Sequence, residues 1–288
     1  MKLATFRLAG RRFVGVVSYD RTSVAALSFN ADERGALAMV EQICAGKSLP
    51  EVTSPALALS AVQFDAPIPR PRRNIFCVGR NYRAHAQELK GSVFNADDRP
   101  IDKWPMVFTK VPECVVAPGA PIRLPESSIS AQIDYEAELA VVIGRGGRNI
   151  AARDAMAHVW GYTIVNDVTA RDVQQRHVQW HLGKSFDTFC PMGPWLVSAD
   201  EIDGRNLRVR CWINDELRQD ATTSDLIFGI PTLIETISRG ITLYPGDLIA
   251  TGTPAGVGMG FDPPRWLARG DRVRIEIEGI GVLENRVE

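Results

Sequence analysis

Hydrophobic and polar residues alternate over the stretch from Ile133 to Gly144. A period of two residues is typical of a β-strand, because successive side chains point to opposite faces of a sheet. One face of the predicted strand is entirely apolar and consists of Ile133, Tyr135, Ala137, Leu139, Val141 and Ile143. A continuous apolar face predicts a strand in the core, around which we expect the rest of the chain to be organised.

The opposite face of this strand begins with three acids, Asp134, Glu136 and Glu138, and continues with Ala140 and Val142. Residues two apart in a strand lie about 7 Å from each other on the same face. Glu136 and Glu138 therefore repel each other unless water screens them or a cation bridges them. This stretch alone leaves two interpretations open: a solvated acidic face, or part of a cation site at the mouth of a buried layer.

The first seventy residues have the pattern of a small unit. Apolar segments predict strands at residues 4–8, 13–18 and 24–27, and a helix over residues 32–44. Closely spaced prolines in residues 67–71 then interrupt regular structure. We therefore predict two domains: a small β-containing N-terminal domain, residues 1–70, and a catalytic domain, residues 71–288.

The remainder of the chain predicts more strands than helices. Strands are expected at residues 74–79, 105–110, 159–165, 207–213, 216–219, 248–250, 272–278 and 282–287, and helices at residues 80–89, 149–158, 169–175 and 224–240. With 288 residues, of which 45% are hydrophobic, the chain can bury one sizeable core and a smaller attached unit. The predicted fold class is α+β and rich in β-structure.

Two segments carry candidate chemistry outside the acidic strand. His85 and Glu88 lie three residues apart on a predicted helix, close enough to form a hydrogen bond. Such a pair is either a surface contact or a general base held by a carboxylate. The polar residues 90–104 that follow predict a loop, and a loop of this length is often a lid or a binding loop.

Asp167 lies where a predicted strand runs into a helix, a junction at which side chains often face a site. The local pattern alone favours a turn or capping aspartate over a site residue. The spacing of Thr169 and Asp172 resembles a capping box that would open the helix. Downstream, Lys184 is the single cation of a predicted structured loop, residues 184–191.

Composition excludes several classes of protein. The net charge of −1 gives no bias towards nucleic acid or membrane surfaces. No apolar stretch approaches the roughly 20 residues of a membrane span. The five cysteines are dispersed and form no Cys-x-x-Cys pair, so neither a disulfide framework nor a thiolate zinc site is indicated. We expect a reduced, cytoplasmic protein with no nucleic-acid or membrane partner.

The glycine-rich residues 251–258 follow a predicted strand, as a phosphate-binding loop would. However, residues 259–264 contain two prolines and do not predict a helix, and no Gly-Lys-Ser/Thr follows. These differences argue against a phosphate loop.

Taken together, five segments resemble the fumarylacetoacetate hydrolase superfamily, in particular its acylpyruvate-hydrolase-like branch. They are residues 78–82 with His85 and Glu88, residues 134–139, residues 166–172, residues 184–187 and residues 251–254, in the family's order. The resemblance runs from about Asn74 to the C-terminus. It implies a mixed β-sheet core, rolled or sandwich-like, with peripheral helices, assembled as a homodimer.

The resemblance also implies that Glu136, Glu138 and Asp167 hold one divalent cation, Mg²⁺ or Mn²⁺, with Ca²⁺ as an alternative. The donor chemistry agrees, because three carboxylates without His or Cys are hard oxygen ligands. The functional interpretation of the acidic strand is then favoured over the solvated face.

By the same resemblance, the substrate is a small keto acid with a pyruvate-like end. The expected reaction is hydrolysis of the C–C bond of an acylpyruvate, such as fumarylpyruvate or acetylpyruvate, to pyruvate and a carboxylic acid. His85, oriented by Glu88, would activate water, and Lys184 would place positive charge beside the developing oxyanion or deliver a proton. The predicted substrate-binding residues are Arg80, Tyr82, Lys110, Arg171, Gln174 and Thr253.

Two alternatives remain. The same metal and enolate chemistry serves an oxaloacetate decarboxylase or a keto–enol or 2-hydroxy-dienoate isomerase, although the pair of His85 and Glu88 favours hydrolysis. An alternative of another class is a non-enzymatic cation-binding β-scaffold. A scaffold would explain the acids but would have no use for Lys184 or for a His–Glu pair.

Overall fold

The computed structural model describes residues 1–53, 55–88 and 102–288. The strands in these ranges are β1 (Lys2–Leu8), β2 (Arg11–Val17), β3 (Ser23–Ala26), β4 (Leu57–Ala58), β5 (Gln63–Phe64), β6 (Ile75–Gly79), β7 (Met106–Lys110), β8 (Val115–Val116), β9 (Ile133–Asp134), β10 (Ala137–Ile143), β11 (Val159–Asn166), β12 (Thr169–Ala170), β13 (Cys190–Ser198), β14 (Arg208–Ile213), β15 (Glu216–Thr222), β16 (Leu248–Ala250), β17 (Arg272–Ile277) and β18 (Gly281–Arg286). The α-helices are α1 (Ala36–Cys44), α2 (Arg83–Glu88), α3 (Arg171–Arg176), α4 (His181–Lys184) and α5 (Ile230–Ser238). None of the helices in the described ranges is long and apolar enough to cross a membrane.

Three sheets make up the β-structure of the described residues. The largest has the strand order β4-β3-β2-β1-β13-β11-β10-β16-β6-β7, with β5 and β8 pairing to β1 and β13. It is a mixed sheet, because β16–β6 and β13–β8 are parallel pairs among antiparallel ones. A four-stranded antiparallel sheet has the order β15-β14-β17-β18, and β9 pairs with β12 in a small sheet of its own.

Strand β10 is buried on both faces and separates two hydrophobic clusters. Leu139 and Val141 belong to the cluster that includes side chains of the four-stranded sheet and α5. Ala140 and Val142 belong to the second cluster, which includes side chains of α1. All six residues of the predicted apolar face lie in the first cluster, so that prediction is confirmed. The predicted α+β fold, with packed sheets and peripheral helices, is also confirmed.

The strand predicted from Ile133 to Gly144 is interrupted, and the prediction of one continuous strand was wrong. Between β9 and β10, the backbone N–H of Glu136 donates to Asn166 Oδ1 (3.1 Å) and that of Ala137 donates to Gln219 Oε1 (3.1 Å). Side-chain acceptors thus replace part of the ladder, and the backbone can leave the sheet without losing hydrogen bonds.

Two predicted helices also differ from the structure. The region 224–240 contains a 3₁₀ turn, Thr223–Asp225, and then the separate helix α5, which has Pro231 in its first turn. Proline is favoured there because its missing N–H has no helical partner in any case. The segment predicted as a helix over residues 149–158 is a 3₁₀ helix, Ala152–His158.

The first seventy residues share their sheet with the rest of the chain. Strand β1 pairs with β13, with Leu3 opposite Leu196, and Phe6 lies in the same cluster as Val197. The division at residue 70 stays a prediction. In structural terms, the N-terminal unit extends the central sheet through β1.

Candidate active site

Three buried carboxylates converge at the break between β9 and β10. Oxygen atoms of Glu136, Glu138 and Asp167 lie within 4.8 Å of one another, and none of these residues is more than 5% exposed. The antiparallel register places Asn166 opposite Ala137, and the Asp167 N–H donates to the Glu136 carbonyl (2.9 Å). The strand pairing therefore brings together acids that are far apart in sequence.

Two buried lysines neutralise part of this charge. Lys184 Nζ donates to Glu136 Oε2 (2.9 Å) and to Asp167 Oδ2 (2.7 Å). Lys110 Nζ donates to Asp167 Oδ1 (2.7 Å) and to the carbonyls of Val168 and Lys184. Burial acts to lower the pKa of Lys110, but the Asp167 charge outweighs it and raises that pKa, so this lysine stays charged.

Arg171, the first residue of α3, is the third cation of the cluster and is 3% exposed. Its Nε donates to Asp134 Oδ2 (2.9 Å), and its Nη2 lies 2.7 Å from Glu136 Oε1. Its Nη1 donates to Gln174 Oε1 (3.3 Å). Of the predicted substrate-binding residues, Arg171 thus lies directly beside the carboxylates, and Gln174 contacts Arg171.

The electrostatic environments of the two glutamates differ. Burial acts to raise the pKa of Glu136, but the charges of Lys184 and Arg171 outweigh it and lower that pKa to about 2. Burial, together with the charges of Asp167 and Glu136, raises the pKa of Glu138 well above its ordinary value. Glu138 therefore favours a proton or a cation beside it.

The residues present fit a divalent metal ion. Four buried carboxylates, those of Asp134, Glu136, Glu138 and Asp167, face three buried cations, Lys110, Arg171 and Lys184. Within the described ranges, Glu138 forms no ion pair, and its Oε2 accepts only the Gly252 N–H (2.8 Å). Buried carboxylate oxygens, from four acids against three cations, are the donor set that Mg²⁺, Mn²⁺ and Ca²⁺ prefer.

His85 and Glu88, on α2, form the predicted pair. His85 Nδ1 lies 3.1 Å from Glu88 Oε2, and the ring is 4% exposed. The imidazole is close enough to Glu136 to contribute to lowering its pKa. With Nδ1 held by the carboxylate, Nε2 is the nitrogen left to act on a ligand. The predicted lid, residues 90–104, lies outside the described residues except for residues 102–104.

The glycine-rich loop, together with the two residues that follow it, Met259 and Gly260, contacts carboxylates of this chain rather than a phosphate group. Its backbone donates from Gly252 to Glu138 Oε2 (2.8 Å), from Gly256 to Glu88 Oε1 (2.8 Å), from Gly258 to Asp134 Oδ1 (2.6 Å) and from Met259 to Asp134 Oδ2 (3.0 Å). Glycine is needed here because a Cβ at Gly258 would lie 2.7 Å from Asp134 Oδ1, and one at Gly260 would lie 2.1 Å from Glu88 Oε1. One loop thus positions three acids of the candidate site.

The remaining predicted residues lie around the same loop. Tyr82 is buried, and its pKa is raised by burial and by the nearby charge of Glu138. Thr253 Oγ1 accepts a hydrogen bond from Gln219 Nε2 (2.9 Å). Arg80, at the end of β6, is half-buried and has a positive φ of 56°, a conformation that is unusual for a non-glycine residue.

The sequence interpretation missed several residues that hold the site together. Asp134 was noticed only as an acid of the strand, and Gln219 was not singled out at all. Gln219 is fully buried and joins the start of β10 to Thr253 and to the Pro254 carbonyl (2.8 Å). Asp134 had a signal, its place beside two other acids, whereas a polar residue inside an otherwise ordinary strand gives none.

Comparison with known proteins places these features in a family. Residues 74–288 match the family described as fumarylacetoacetate (FAA) hydrolase, C-terminal. The Bacillus subtilis protein named oxaloacetate tautomerase YisK is 44% identical over 307 aligned positions, which cover 100% of both chains. The human mitochondrial protein named oxaloacetate tautomerase FAHD2A is 45% identical over 236 positions, covering 81% of this chain and 72% of the human protein.

Solved structures agree in fold. The fumarylacetoacetate hydrolase of Exiguobacterium antarcticum superposes with a TM-score of 0.85 at 38% identity, covering 100% of this chain and 99% of that one. The 2-hydroxyhepta-2,4-diene-1,7-dioate isomerase of Mycobacterium marinum gives a TM-score of 0.77 at 34% identity, with coverage of 100% and 98%. The relatives' names thus include tautomerases and isomerases as well as a hydrolase.

Proposed function

We propose that this chain, which belongs to the fumarylacetoacetate hydrolase family, is a metal-dependent tautomerase that interconverts the keto and enol forms of oxaloacetate. Similarity to proteins named oxaloacetate tautomerase, over the whole chain in one case, supports this proposal. It favours the isomerase alternative of the sequence analysis over the C–C hydrolysis that was placed first.

The observation that carries the proposal is the pairing of an acid and a base around one carboxylate cluster. Lys184 Nζ lies 2.7 Å from Asp167 and 2.9 Å from Glu136, and His85 is held by Glu88 within electrostatic range of Glu136. Tautomerisation requires one proton to leave carbon 3 and one to reach the oxygen on carbon 2. A histidine and a lysine on the same small site suffice for these two transfers, and no attacking water is needed.

In this proposal Glu136, Glu138 and Asp167 would hold the cation. When bound, a divalent cation polarises the 2-oxo group and stabilises the negative charge that develops on its oxygen. His85 would remove the proton from carbon 3 through Nε2, while Glu88 fixes the ring and stabilises its protonated form. Lys184 would donate to the oxygen on carbon 2, and Arg171 with Gln174 would bind a substrate carboxylate.

The test follows the absorbance of enol-oxaloacetate with the protein loaded with Mg²⁺ or Mn²⁺, and quantifies remaining oxaloacetate and released pyruvate in the same samples. We expect rapid loss of enol absorbance with oxaloacetate conserved, and loss of the effect in a chelator. Pyruvate formed at the rate of enol loss would instead show a decarboxylase. Hydrolysis of acetylpyruvate without any effect on enol-oxaloacetate would restore the hydrolase interpretation.

Glu138→Gln tests the metal site directly. We expect it to weaken Mn²⁺ binding at least about 100-fold and to abolish turnover, because a ligand is replaced by a neutral amide. The matched control is Glu126→Gln, an exposed glutamate, which should change neither. A protein that binds Mn²⁺ but has no affinity for oxalate, a mimic of the pyruvate enolate, would favour the non-enzymatic scaffold.

We also propose that the chain forms a homodimer. Support comes from β7, the last strand in the order of the large sheet, near which Trp104 is 59% and Val107 is 38% exposed. Exposed edge strands with apolar side chains are commonly covered by a partner. Light scattering that gives a mass of 31.7 kDa in solution would contradict the dimer.

A further inference from the structure

Asp134 is the most completely engaged acid near the site, and no step above uses it. Its side chain is fully buried. Oδ1 accepts the N–H groups of Tyr135 (2.9 Å) and Gly258 (2.6 Å). Oδ2 accepts the Met259 N–H (3.0 Å) and the Nε of Arg171 (2.9 Å). Protein donors therefore engage both carboxylate oxygens, so we do not count Asp134 among the candidate metal ligands.

Arg171 depends on this carboxylate for its orientation. A guanidinium is a planar fork on a flexible stem, and its direction is fixed only by the acceptors that it meets. Asp134 accepts a hydrogen bond from Nε (2.9 Å), Nη2 lies at ion-pair distance from Asp134 (2.9 Å) and Glu136 (2.7 Å), and Gln174 accepts from Nη1. Without the Asp134 carboxylate, Glu136 would be the only acid orienting the Arg171 guanidinium. The group that donates to Gln174 could then rotate.

Gln174 is aligned by the same chain of contacts. Its Oε1 accepts from Arg171, so its NH₂ group is the end that can donate to a ligand. A dicarboxylic 2-oxo acid presents one carboxylate beside its 2-oxo group and a second one at the far end. An oriented arginine next to an amide NH₂ group is suited to the second carboxylate.

We infer that Asp134 is a positioning residue, which, anchored by the glycine-rich loop, holds Arg171 in the orientation that selects 2-oxo acids with a second carboxylate. The inference rests on the proposed function, because it names the substrate class of that same site. It explains why the loop places two backbone N–H groups on an acid that lies outside the group of three.

The experiment is a double-mutant cycle of Asp134→Asn and Arg171→Met in the Mn²⁺-loaded full chain. Calorimetry measures affinity for 3,3-difluoro-oxaloacetate, which has no proton on carbon 3 to lose, and for oxalate, which lacks the distant carboxylate. KM and kcat for oxaloacetate are measured alongside. Asp134→Asn is nearly isosteric but presents an amide donor where Arg171 or a loop N–H needs an acceptor.

We expect Asp134→Asn to weaken difluoro-oxaloacetate binding and raise KM by about 10- to 100-fold, while oxalate and Mn²⁺ affinities change by less than about 3-fold. The double variant should be no worse than Arg171→Met alone, because Asp134 acts through Arg171. Effects that multiply in the double variant, or equal losses for both ligands, would overturn the inference.

Asp247→Asn is the matched structural control. Asp247 is also a buried aspartate that accepts from an arginine, Arg73 Nε (3.0 Å), and from a backbone N–H, that of Tyr244 (2.7 Å). The Asp247→Asn variant should have a lower melting temperature but an unchanged ratio of difluoro-oxaloacetate affinity to oxalate affinity. A change in that ratio equal to the one in Asp134→Asn would mean that the effect is general destabilisation, and would overturn the inference.

Two further results keep the outcomes separate. If Asp134→Asn does not fold, Arg171→Lys, which keeps the charge but loses the fork, should show the same selective loss of difluoro-oxaloacetate binding; an unchanged affinity would overturn the inference. If the wild type binds both ligands and the cycle behaves as expected but enol-oxaloacetate is not turned over, the proposed reaction fails and the positioning role stands. If enol-oxaloacetate is turned over but the effects of the two substitutions multiply in the double variant, the proposed reaction stands and the positioning role fails.

Discussion

His85 shows how much of a residue's role is set by its immediate neighbours. The ring is buried and held at Nδ1 by Glu88, which in turn accepts the Gly256 N–H (2.8 Å). A carboxylate that is itself fixed can orient the imidazole and stabilise its charged form, which is what a general base requires. Within the part of the chain that the structure describes, Glu136 and Asp167 are held by Lys184 and not by a hydrogen bond to this pair.

We therefore expect His85→Gln to separate catalysis from metal binding. The rate of enol-oxaloacetate conversion should fall by about 10²- to 10⁴-fold, because the proton acceptor is lost. Calorimetry should find Mn²⁺ affinity little changed. The control is His158→Gln, since His158 bonds to the Arg145 carbonyl (2.7 Å) at the far end of β10. A wild-type rate in His85→Gln would show that another group takes the proton.

Glu138 gives the protein a pH dependence whose sign can be worked out. Its raised pKa means that the metal-free folded protein keeps a proton that the unfolded chain releases above about pH 4.5. Because the folded state then binds more protons than the unfolded chain, the free energy of unfolding falls as the pH rises above about 4.5. Glu136 acts in the opposite sense at lower pH: its pKa of about 2 gives stability that is lost as pH falls from about 4.5 towards 2.

A bound cation would remove the loss of stability that Glu138 causes at higher pH, because the cation holds this carboxylate in its ionised form. We therefore expect the stabilisation by Mg²⁺ or Mn²⁺ to grow between pH 5 and pH 8, with apparent metal affinity rising up to about tenfold per pH unit while one proton is displaced. Melting temperatures with metal and with a chelator, measured across this range, test it. A metal-induced shift that is the same at every pH would contradict the role given to Glu138.

Among the elements, the glycine-rich loop is the one whose purpose the sequence did not reveal. Its lack of a following helix argued against a phosphate loop, but the acids that it binds lie on α2, β9 and β10, far away in the chain. Backbone N–H donors are present in nearly every residue and leave no mark in a sequence. The close approach of Gly258 to the Arg265 carbonyl and Asp134, and of Gly260 to Glu88, is likewise a feature of the folded structure.

Gly260→Ala should consequently impair catalysis from a distance. The new Cβ would lie 2.1 Å from Glu88 Oε1, so Glu88 must move and His85 loses its orientation. A displacement of about 1 Å of a catalytic group can cost on the order of 10²-fold in rate, and we expect a loss of roughly that size with Mn²⁺ affinity retained. Gly240→Ala is the matched control, because no atom lies within 4 Å of its Cβ position. Equal activity of the two variants would contradict this role of the loop.

The predicted elements succeeded where local pattern and local physics agree. The strands predicted at residues 207–213 and 216–219 form the paired strands β14 and β15, joined at Asn214 with a φ of 57°, and the strand predicted at residues 272–278 forms β17, whose buried residues alternate. The capping box predicted at Thr169 and Asp172 was wrong. Thr169 Oγ1 donates to the carbonyl of Asp167, two residues earlier, and Asp172 accepts from Ser130 (2.5 Å), a tertiary partner that competes with the local cap. The same competition interrupts the strand at Glu136.

At the scale of the whole molecule, the candidate site lies on a sheet that the N-terminal unit helps to complete. The chain from Asn74 onwards carries all of the predicted site residues, and no pattern in residues 1–70 connects them with the site. The connection is made by strand pairing and shared burial. Thr5 Oγ1, for example, donates to the Pro67 carbonyl (2.8 Å) and accepts the Ala36 N–H (2.9 Å). Such long-range contacts depend on the folded topology, which alternation alone does not specify.

Continuity of the sheet leads us to expect that the N-terminal unit and the site unfold together. Phe6 is fully buried in the cluster that also contains Leu139 and Val141 of β10, so Phe6→Ala should lower the free energy of unfolding by about 3–5 kcal/mol. Hydrogen exchange should show the same loss of protection in β1 and in β10, because one cooperative unit shares its stability. Tyr19→Ala, which removes an aromatic side chain that is 92% exposed, should change the hydrogen-exchange protection of neither strand. A loss of protection confined to β1 would mean that the unit before residue 70 opens independently of the carboxylate cluster.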